Sequence, residues 1–206
     1  MVPVSGIVLA GGKSLRLGRV KALERINNQL LIERTIERIS PPARPVLVVT
    51  SQEQFDLIVA SHLKVKVVLD LFPGKGALGG IYTGLECADS FYSLIVGCDM
   101  PFLNRSLLRY ITRCATGFDA VVPKMRNMLE PLHAVYSKNC LPLIRKMMEE
   151  DRLEILQLFD MVNTRYLGEE ELVKIDSEGL SFFNINTMAD LRKARQLARR
   201  HSLQQA

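Results

Sequence analysis

Two adjacent glycines, Gly11 and Gly12, end a short apolar run and are followed by Lys13, Ser14, Arg16, Arg19 and Lys21. Without a Cβ, such a pair reaches backbone angles closed to other residues and lets a ligand come close to the main chain. Successive amides in a turn of this kind form a concavity that attracts anions. Arg16 can grip a phosphate through two parallel hydrogen bonds, and Lys21 adds a mobile point charge. These groups suit the holding of a polyphosphate. A second candidate is Asp99, in the run Gly97-Cys98-Asp99-Met100-Pro101-Phe102. A carboxylate ending a buried strand suits Mg2+, which takes one or two protein oxygens and leaves its other positions to phosphates and water. Its other reading is an acid at the start of a helix near Asn104.

Standard phosphate motifs do not describe the first loop. A P-loop has four residues between its glycines and then Lys-Ser/Thr. Here five residues separate Gly12 from Gly18, and Arg19 follows. The dinucleotide fingerprint Gly-x-Gly-x-x-Gly does occur, at Gly74, Gly76 and Gly79, with Asp99 twenty residues beyond. It supports a rival reading, a nicotinamide- or flavin-dependent oxidoreductase. Against that reading, Asp70-Leu71-Phe72-Pro73 intervenes where the fingerprint needs a tight strand-to-glycine turn.

The elements that must position these residues alternate along the chain. Strands are expected at Val4–Leu9, Val46–Val49, Val65–Leu69, Ser93–Val96 and Ala120–Val122. Helices are expected at Gln29–Ile39, Gln52–His62 and Gly79–Ala88, and from Asn104 to about Ala115. Continuous apolar strands separated by helices imply an α/β fold, with a mostly parallel sheet covered on both faces in three layers. The rhythm then changes, with a strand at Leu132–Tyr136 and a helix at Cys140–Met148. The pattern is weak from Asp151 to Ser181, and Phe182–Asn186 is a short segment before a helix capped by Thr187 or Asn186. Ligands of open α/β sheets bind beyond the carboxyl ends of the strands. Gly11 and Gly12, Thr50 and Ser51, Asp70, and Asp99 each follow such an end.

Composition narrows the field. A chain of 206 residues, 48% hydrophobic and 24% charged, suits one globular domain with a core of its own. No apolar run approaches the ~18 residues of a membrane span. The start, Met1-Val2-Pro3-Val4-Ser5, does not resemble a signal peptide, so a cytoplasmic location and no membrane partner are expected. Cys87, Cys98, Cys114 and Cys140 form no Cys-x-x-Cys pair and read as reduced thiols. A net charge of +5 favours anionic ligands. The basic residues Arg192, Lys193, Arg195, Arg199 and Arg200 read as a solvated helix face. They lack the aromatic interleaving of single-strand binders, so no nucleic-acid partner is expected.

The first loop resembles the signature Leu-Ala-Gly-Gly-x-Ser-x-Arg-Met-Gly-x-Asp-Lys of the molybdopterin-type nucleotidyltransferases. Leu9, Ala10, Gly11, Gly12, Ser14, Arg16, Gly18 and Lys21 fit it; Leu17 replaces Met, and Val20 stands where Asp is usual. The Cys98–Phe102 run resembles the family's metal-binding segment. Gly76–Gly80 resembles its Gly-Pro-Leu-Ala-Gly loop, with Ala77 for Pro. Glu130–Tyr136 and Phe183–Thr187 resemble the molybdenum cofactor guanylyltransferase branch. The resemblance implies a single domain over 1–206, with a Rossmann-like sheet of the nucleotide-diphospho-sugar transferase type. It places nucleotide binding in about 1–122 and acceptor binding in about 123–206. It implies transfer of GMP from GTP to molybdopterin or molybdenum cofactor, releasing pyrophosphate. Arg16, Lys21 and Asp99 take catalytic roles, and Asp99 holds Mg2+. Leu9, Ala10, Gly11, Gly12, Lys21, Thr50, Asp70, Gly80 and Asp99 bind nucleotide. Asp70 reads the base, since a carboxylate suits the adjacent N1–H and N2–H2 donors of guanine. Asn184 and Asn186 meet the acceptor or the metal. Acceptor molybdoenzymes or other cofactor-assembly proteins are the implied protein partners. His133, inside an apolar alternating run, reads as structural. A cytidylyltransferase or sugar-phosphate nucleotidyltransferase of the same fold stays open, as does a non-catalytic nucleotide sensor.

Overall fold

A computed structural model describes residues 2–11, 20–61 and 63–203, with side chains to residue 200. Arg16 and Gly12 therefore lie outside the described residues, as does His62. The chain builds an eight-stranded sheet from β1 (Val4–Leu9), β4 (Val46–Thr50), β5 (Lys66–Leu69), β6 (Tyr92–Gly97), β7 (Ala120–Met125), β8 (Met128–Leu129), β9 (His133–Ser137) and β10 (Thr164–Leu167). The strand order is β10-β7-β9-β6-β1-β4-β5, with β8 paired to β7. Only β9 and the short β8 run against the rest. The expected mostly parallel α/β sheet is thus present.

Alternation along the strands sends neighbouring residues to opposite faces. Ile7 is in register with Leu47 and Ile95, and the three pack under α3 (Gly76–Cys87), α5 (Leu141–Glu149) and α6 (Leu156–Phe159). Val8, Val48 and Val96 form the next row and face the other way. They join α1 (Leu31–Ile39), α2 (Gln52–Val59), α4 (Arg105–Arg113) and α7 (Glu169–Val173) in one cluster. The central strands are buried on both faces, which is why their sequences are apolar throughout. Helix α3 lies close to β1 because Gly84 has no side chain; a Cβ there would be 2.7 Å from Ile7 Cγ2.

Several boundaries differ from the sequence reading. The helix expected from Gln29 begins at Leu31. Gln29–Leu30 is strand β3, paired with β2 (Arg25–Ile26). Asn27 and Asn28 make the turn, with φ of 49° and 65°. Asparagine tolerates that left-handed conformation better than most residues. Helix α3 starts at Gly76 rather than Gly79, so Gly76–Gly80 is its first turn and not a preceding loop. The weak stretch after Asp151 contains α6, β10 and α7, and 183–186 is extended chain outside the sheet. The final helix α8 (Met188–Leu203) buries Leu191, Ala194 and Ala198 against Ile26, Leu31 and Ile185. Arg192, Lys193, Arg199 and Arg200 are exposed, as expected of a solvated face, but Arg195 is half-buried and packs back on the β2 segment, donating to Arg25 O at 3.0 Å and pairing with Glu24 at 3.5 Å. Among the described residues no helix is long and apolar enough to cross a membrane.

Candidate active site

The parallel neighbours β6, β1, β4 and β5 end on one rim. Their ends are tied across the ladder: Cys98 N–H donates to Leu9 O at 3.1 Å, Ala10 N–H to Val49 O at 2.8 Å and Asp70 N–H to Thr50 O at 2.8 Å. These bonds hold Ala10, Thr50, Asp70 and Cys98 in one row, with Gly11 and Asp99 next in the chain. Gly11 lies against β4; a Cβ on it would be 3.2 Å from Ser51 N. The buried hydroxyls of Thr50 and Ser51, both beside Gly11, have no hydrogen-bond partner among the described residues.

Asp99 turns back over the strand that carries it. A Cβ on Gly97 would be 2.5 Å from Asp99 Oδ1, so this carboxylate position requires glycine. Lys21 opens a short 3-10 turn (Lys21–Leu23) whose Ala22 is buried. The turn brings Lys21 Nζ to 3.0 Å from Asp99 Oδ2, and the two side chains are only 18% and 22% exposed. The same ammonium donates to Asn186 Oδ1 at 3.2 Å. Asn186 arrives from the far end of the chain because Ile185 is buried under α8 and its N–H donates to Asp99 O at 3.0 Å. Asp190 fixes the turn from the other side: one oxygen accepts from Asn186 N–H, Thr187 N–H and the Thr187 hydroxyl at 2.8–3.0 Å. The Thr187 hydroxyl bond holds the Asp190 carboxyl below the usual range, the backbone bonds adding to it.

Asp70 is built in a second way. Its Oδ1 accepts from the Thr83 hydroxyl and from Phe72 N–H, both at 3.0 Å. Thr83 is fully buried and also accepts from Leu71 N–H at 2.9 Å. Gly79 lies beneath the carboxylate; a Cβ there would be 3.3 Å from both oxygens and 2.7 Å from Phe72 O. Gly80 packs on Leu9, 3.4 Å from Leu9 Cδ2 to a Cβ built on it. Leu9, Ala10, Gly11, Thr50, Asp70, Gly80, Lys21, Asp99 and Asn186 therefore line one rim or its immediate supports. Asn184 makes no hydrogen bond among the described residues.

Other titratable groups nearby are unsuited to proton transfer or attack. Burial, with Asp99 adding to it, pushes the Cys98 thiol up to about 12, so it stays protonated. His133 is fully buried, its ring 5.0 Å from that of Phe182, and neither nitrogen has a partner among the described residues. Burial lowers it to about 3, which makes it a neutral structural ring. Burial alone raises Glu130. Among the described residues no three His, Cys, Asp or Glu side chains converge as a metal cluster. The Asp99–Asn186 pair nevertheless offers two oxygens to one cation, and such hard donors fit Mg2+.

Three supporting residues escaped the sequence reading. Gly97 and Thr83 carry no motif that announces them. Asp190 does have a signal, since Thr187-x-x-Asp190 is a helix-start pattern.

A mostly parallel sheet with a glycine, a lysine and an acid on one carboxyl rim is the architecture of a nucleotide-handling α/β enzyme. Residues 6–162 match the MobA-like NTP transferase domain, and the chain belongs to this family of nucleotidyltransferases. It is 35% identical over 198 residues to a protein of Pelotomaculum thermopropionicum named "Probable molybdenum cofactor guanylyltransferase", covering 96% of this chain and 95% of that one. It is 33% identical to the molybdenum cofactor guanylyltransferase of Desulfosudis oleivorans, covering 94% and 95%. The crystal structure of molybdopterin-guanine dinucleotide biosynthesis protein A from Archaeoglobus fulgidus superposes with a TM-score of 0.84 at 29% identity, covering 96% of this chain and all of that one.

Proposed function

We propose that the chain transfers GMP from GTP to molybdopterin or molybdenum cofactor, forming the guanine dinucleotide cofactor and pyrophosphate. The observation that carries the reading is the meeting of Lys21, Asp99 and Asn186 at the rim beside Gly11. The names of the relatives favour guanine over cytosine. In this reading a terminal phosphate oxygen of the pterin attacks the α-phosphorus of GTP. The bond from that phosphorus to the β-phosphate oxygen breaks in line, and pyrophosphate leaves with the electron pair. The attacking phosphate is already ionised at neutral pH, so no general base and no protein nucleophile is required. Positioning and charge neutralisation carry catalysis.

The chain's own groups divide the work. Arg16, Lys21 and the Gly11–Gly12 amides hold the β- and γ-phosphates and steady the leaving pyrophosphate. Leu9, Ala10 and Thr50 form the floor of the nucleotide site. Asp70 accepts from the base, with Gly80 leaving room beside it. Asn184 and Asn186 orient the acceptor, so residues beyond about 122 serve the acceptor and those before it the nucleotide, within a single domain. Asp99, with Asn186 beside it, would hold Mg2+, which supplies charge neutralisation on the phosphates. A cytoplasmic setting and docking to molybdoenzymes or cofactor-assembly proteins belong to the same proposal.

The test is Asp99→Ala, assayed by pyrophosphate release and by mass spectrometry of the dinucleotide product. Transfer is expected to vanish at an unchanged circular-dichroism spectrum. Near-normal turnover would reject the role given to Asp99. Stronger thermal stabilisation by CTP than by GTP would reverse the choice of base.

A further inference from the structure

We propose that the Lys21 ammonium is the resident cation of the Asp99–Asn186 site, and that it keeps divalent metal out until a nucleotide draws it away. The inference rests on the reading of Asp99 as the metal ligand and adds an order of events to it.

The geometry is that of a ligated cation. One ammonium lies 3.0 Å from Asp99 Oδ2 and 3.2 Å from Asn186 Oδ1. The two acceptors come from the middle and the far end of the chain and converge at this nitrogen. An asparagine carbonyl and a carboxylate are the hard oxygen donors that Mg2+ prefers. The backbones that carry them are anchored: Ile185 N–H donates to Asp99 O, Asp190 accepts from Asn186 N–H, and Gly97 leaves the carboxylate room to turn back over its strand. A preformed oxygen pair therefore exists, and a positive group fills it. A divalent ion bridging these oxygens would claim the same space as the ammonium and repel it.

Exchange is then coupled to substrate. Lys21 sits on a flexible four-carbon stem and follows the glycine turn in the chain. Triphosphate held beside Gly11, as the proposed function has it, offers the ammonium more negative charge than one carboxylate does. Once Lys21 moves to the phosphates, Asp99 and Asn186 are released for the metal that arrives with them. Nucleotide-free protein should accordingly bind metal weakly, and removal of the ammonium should create a metal site where none of strength existed.

The experiment measures Mn2+ binding to the full chain without nucleotide, by loss of the free-ion electron paramagnetic resonance signal. Lys21→Met keeps the apolar stem and removes the charge, and Lys21→Ala serves should the first variant fold poorly. Lys193→Met is the charge control; this lysine lies 5.7 Å from the centre of the Phe183 ring and does not touch Asp99. Removing the Lys21 charge should tighten the Mn2+ Kd by about fivefold, the effect of releasing a partly exposed ion pair. Lys193→Met should leave it unchanged, and adding Asp99→Asn to Lys21→Met should abolish the gain. No tightening in either Lys21 variant, equal tightening in Lys193→Met, or a gain that survives Asp99→Asn would each overturn the proposal. A parallel titration with GTP separates the two readings. If wild-type protein takes up Mn2+ with GTP and loses this with Asp99→Asn, while Lys21→Met without GTP gains nothing, only the exchange falls. If GTP-dependent uptake ignores Asp99→Asn, the metal assignment falls and the exchange with it.

Discussion

Gly97→Ala adds one methyl group to the rim and tests whether the position of Asp99 matters. A Cβ built on Gly97 lies 2.5 Å from Asp99 Oδ1 and 3.6 Å from its Cγ, against a limit near 3.0 Å for real contacts. The backbone cannot give way, because Gly97 is in register with Leu9 and its N–H donates to Leu132 O at 3.1 Å. The carboxylate must therefore swing by about 0.5–0.9 Å, the gap between 2.5 Å and the 3.0–3.4 Å of tight contacts. That motion carries Oδ2 off the Lys21 ammonium now 3.0 Å away. Displacements of about 1 Å at a phosphate-transfer site cost roughly 10²-fold in rate, or about 2.7 kcal/mol on the barrier. Stability should change far less, since Asp99 is partly exposed and a shift of about 1 kcal/mol moves Tm by only about 2–4 °C at this size. Steady-state pyrophosphate release at saturating GTP and acceptor, beside thermal unfolding, reads both quantities. A kcat within threefold of wild type at unchanged Tm would refute the claim that this glycine sets the carboxylate.

Thr83→Val, which removes a hydroxyl bonded to Asp70 Oδ1 at 3.0 Å and to Leu71 N–H at 2.9 Å, should raise the KM for GTP more than it lowers kcat. It should also cost about 1–3 kcal/mol of stability; an unchanged KM in a folded variant would separate Asp70 from base recognition. His133→Leu tests the buried ring. Burial moves His133 from 6.5 to about 3, so below 6.5 the unfolded chain gains a proton that the folded chain refuses. Stability contributed by the neutral ring is thus lost as pH falls through that window, by about 1.6 kcal/mol between pH 6.5 and 5. Urea unfolding at both pH values should show that loss in wild type and not in the variant. The comparison cancels Glu130, whose raised pKa acts in both; equal pH slopes would place a proton on His133 in the folded state.

The central strands were legible because Val4–Leu9 and Val46–Thr50 are continuous apolar runs buried on both faces, and that burial leaves its mark on every position. The last third was not. Thr164–Leu167 is an edge strand with half-exposed positions, so it carries no apolar run. The start of α3 was masked by its glycines, two of which are required by close packing: a Cβ on Gly79 would be 2.7 Å from Phe72 O and one on Gly84 2.7 Å from Ile7 Cγ2. Residue type and spacing pointed to Lys21 and Asp99, strand polarity predicted that they share a rim with Asp70, and the resemblance to the nucleotidyltransferases added Asn186. What tertiary structure decided is who touches whom. Lys21 and Asp99 are 78 positions apart and Lys21 and Asn186 are 165 apart. No local rule pairs groups at such separations. Their meeting depends on the parallel sheet setting one strand end beside the next, and on α8 burying Ile185 so that Asn186 reaches the same cation.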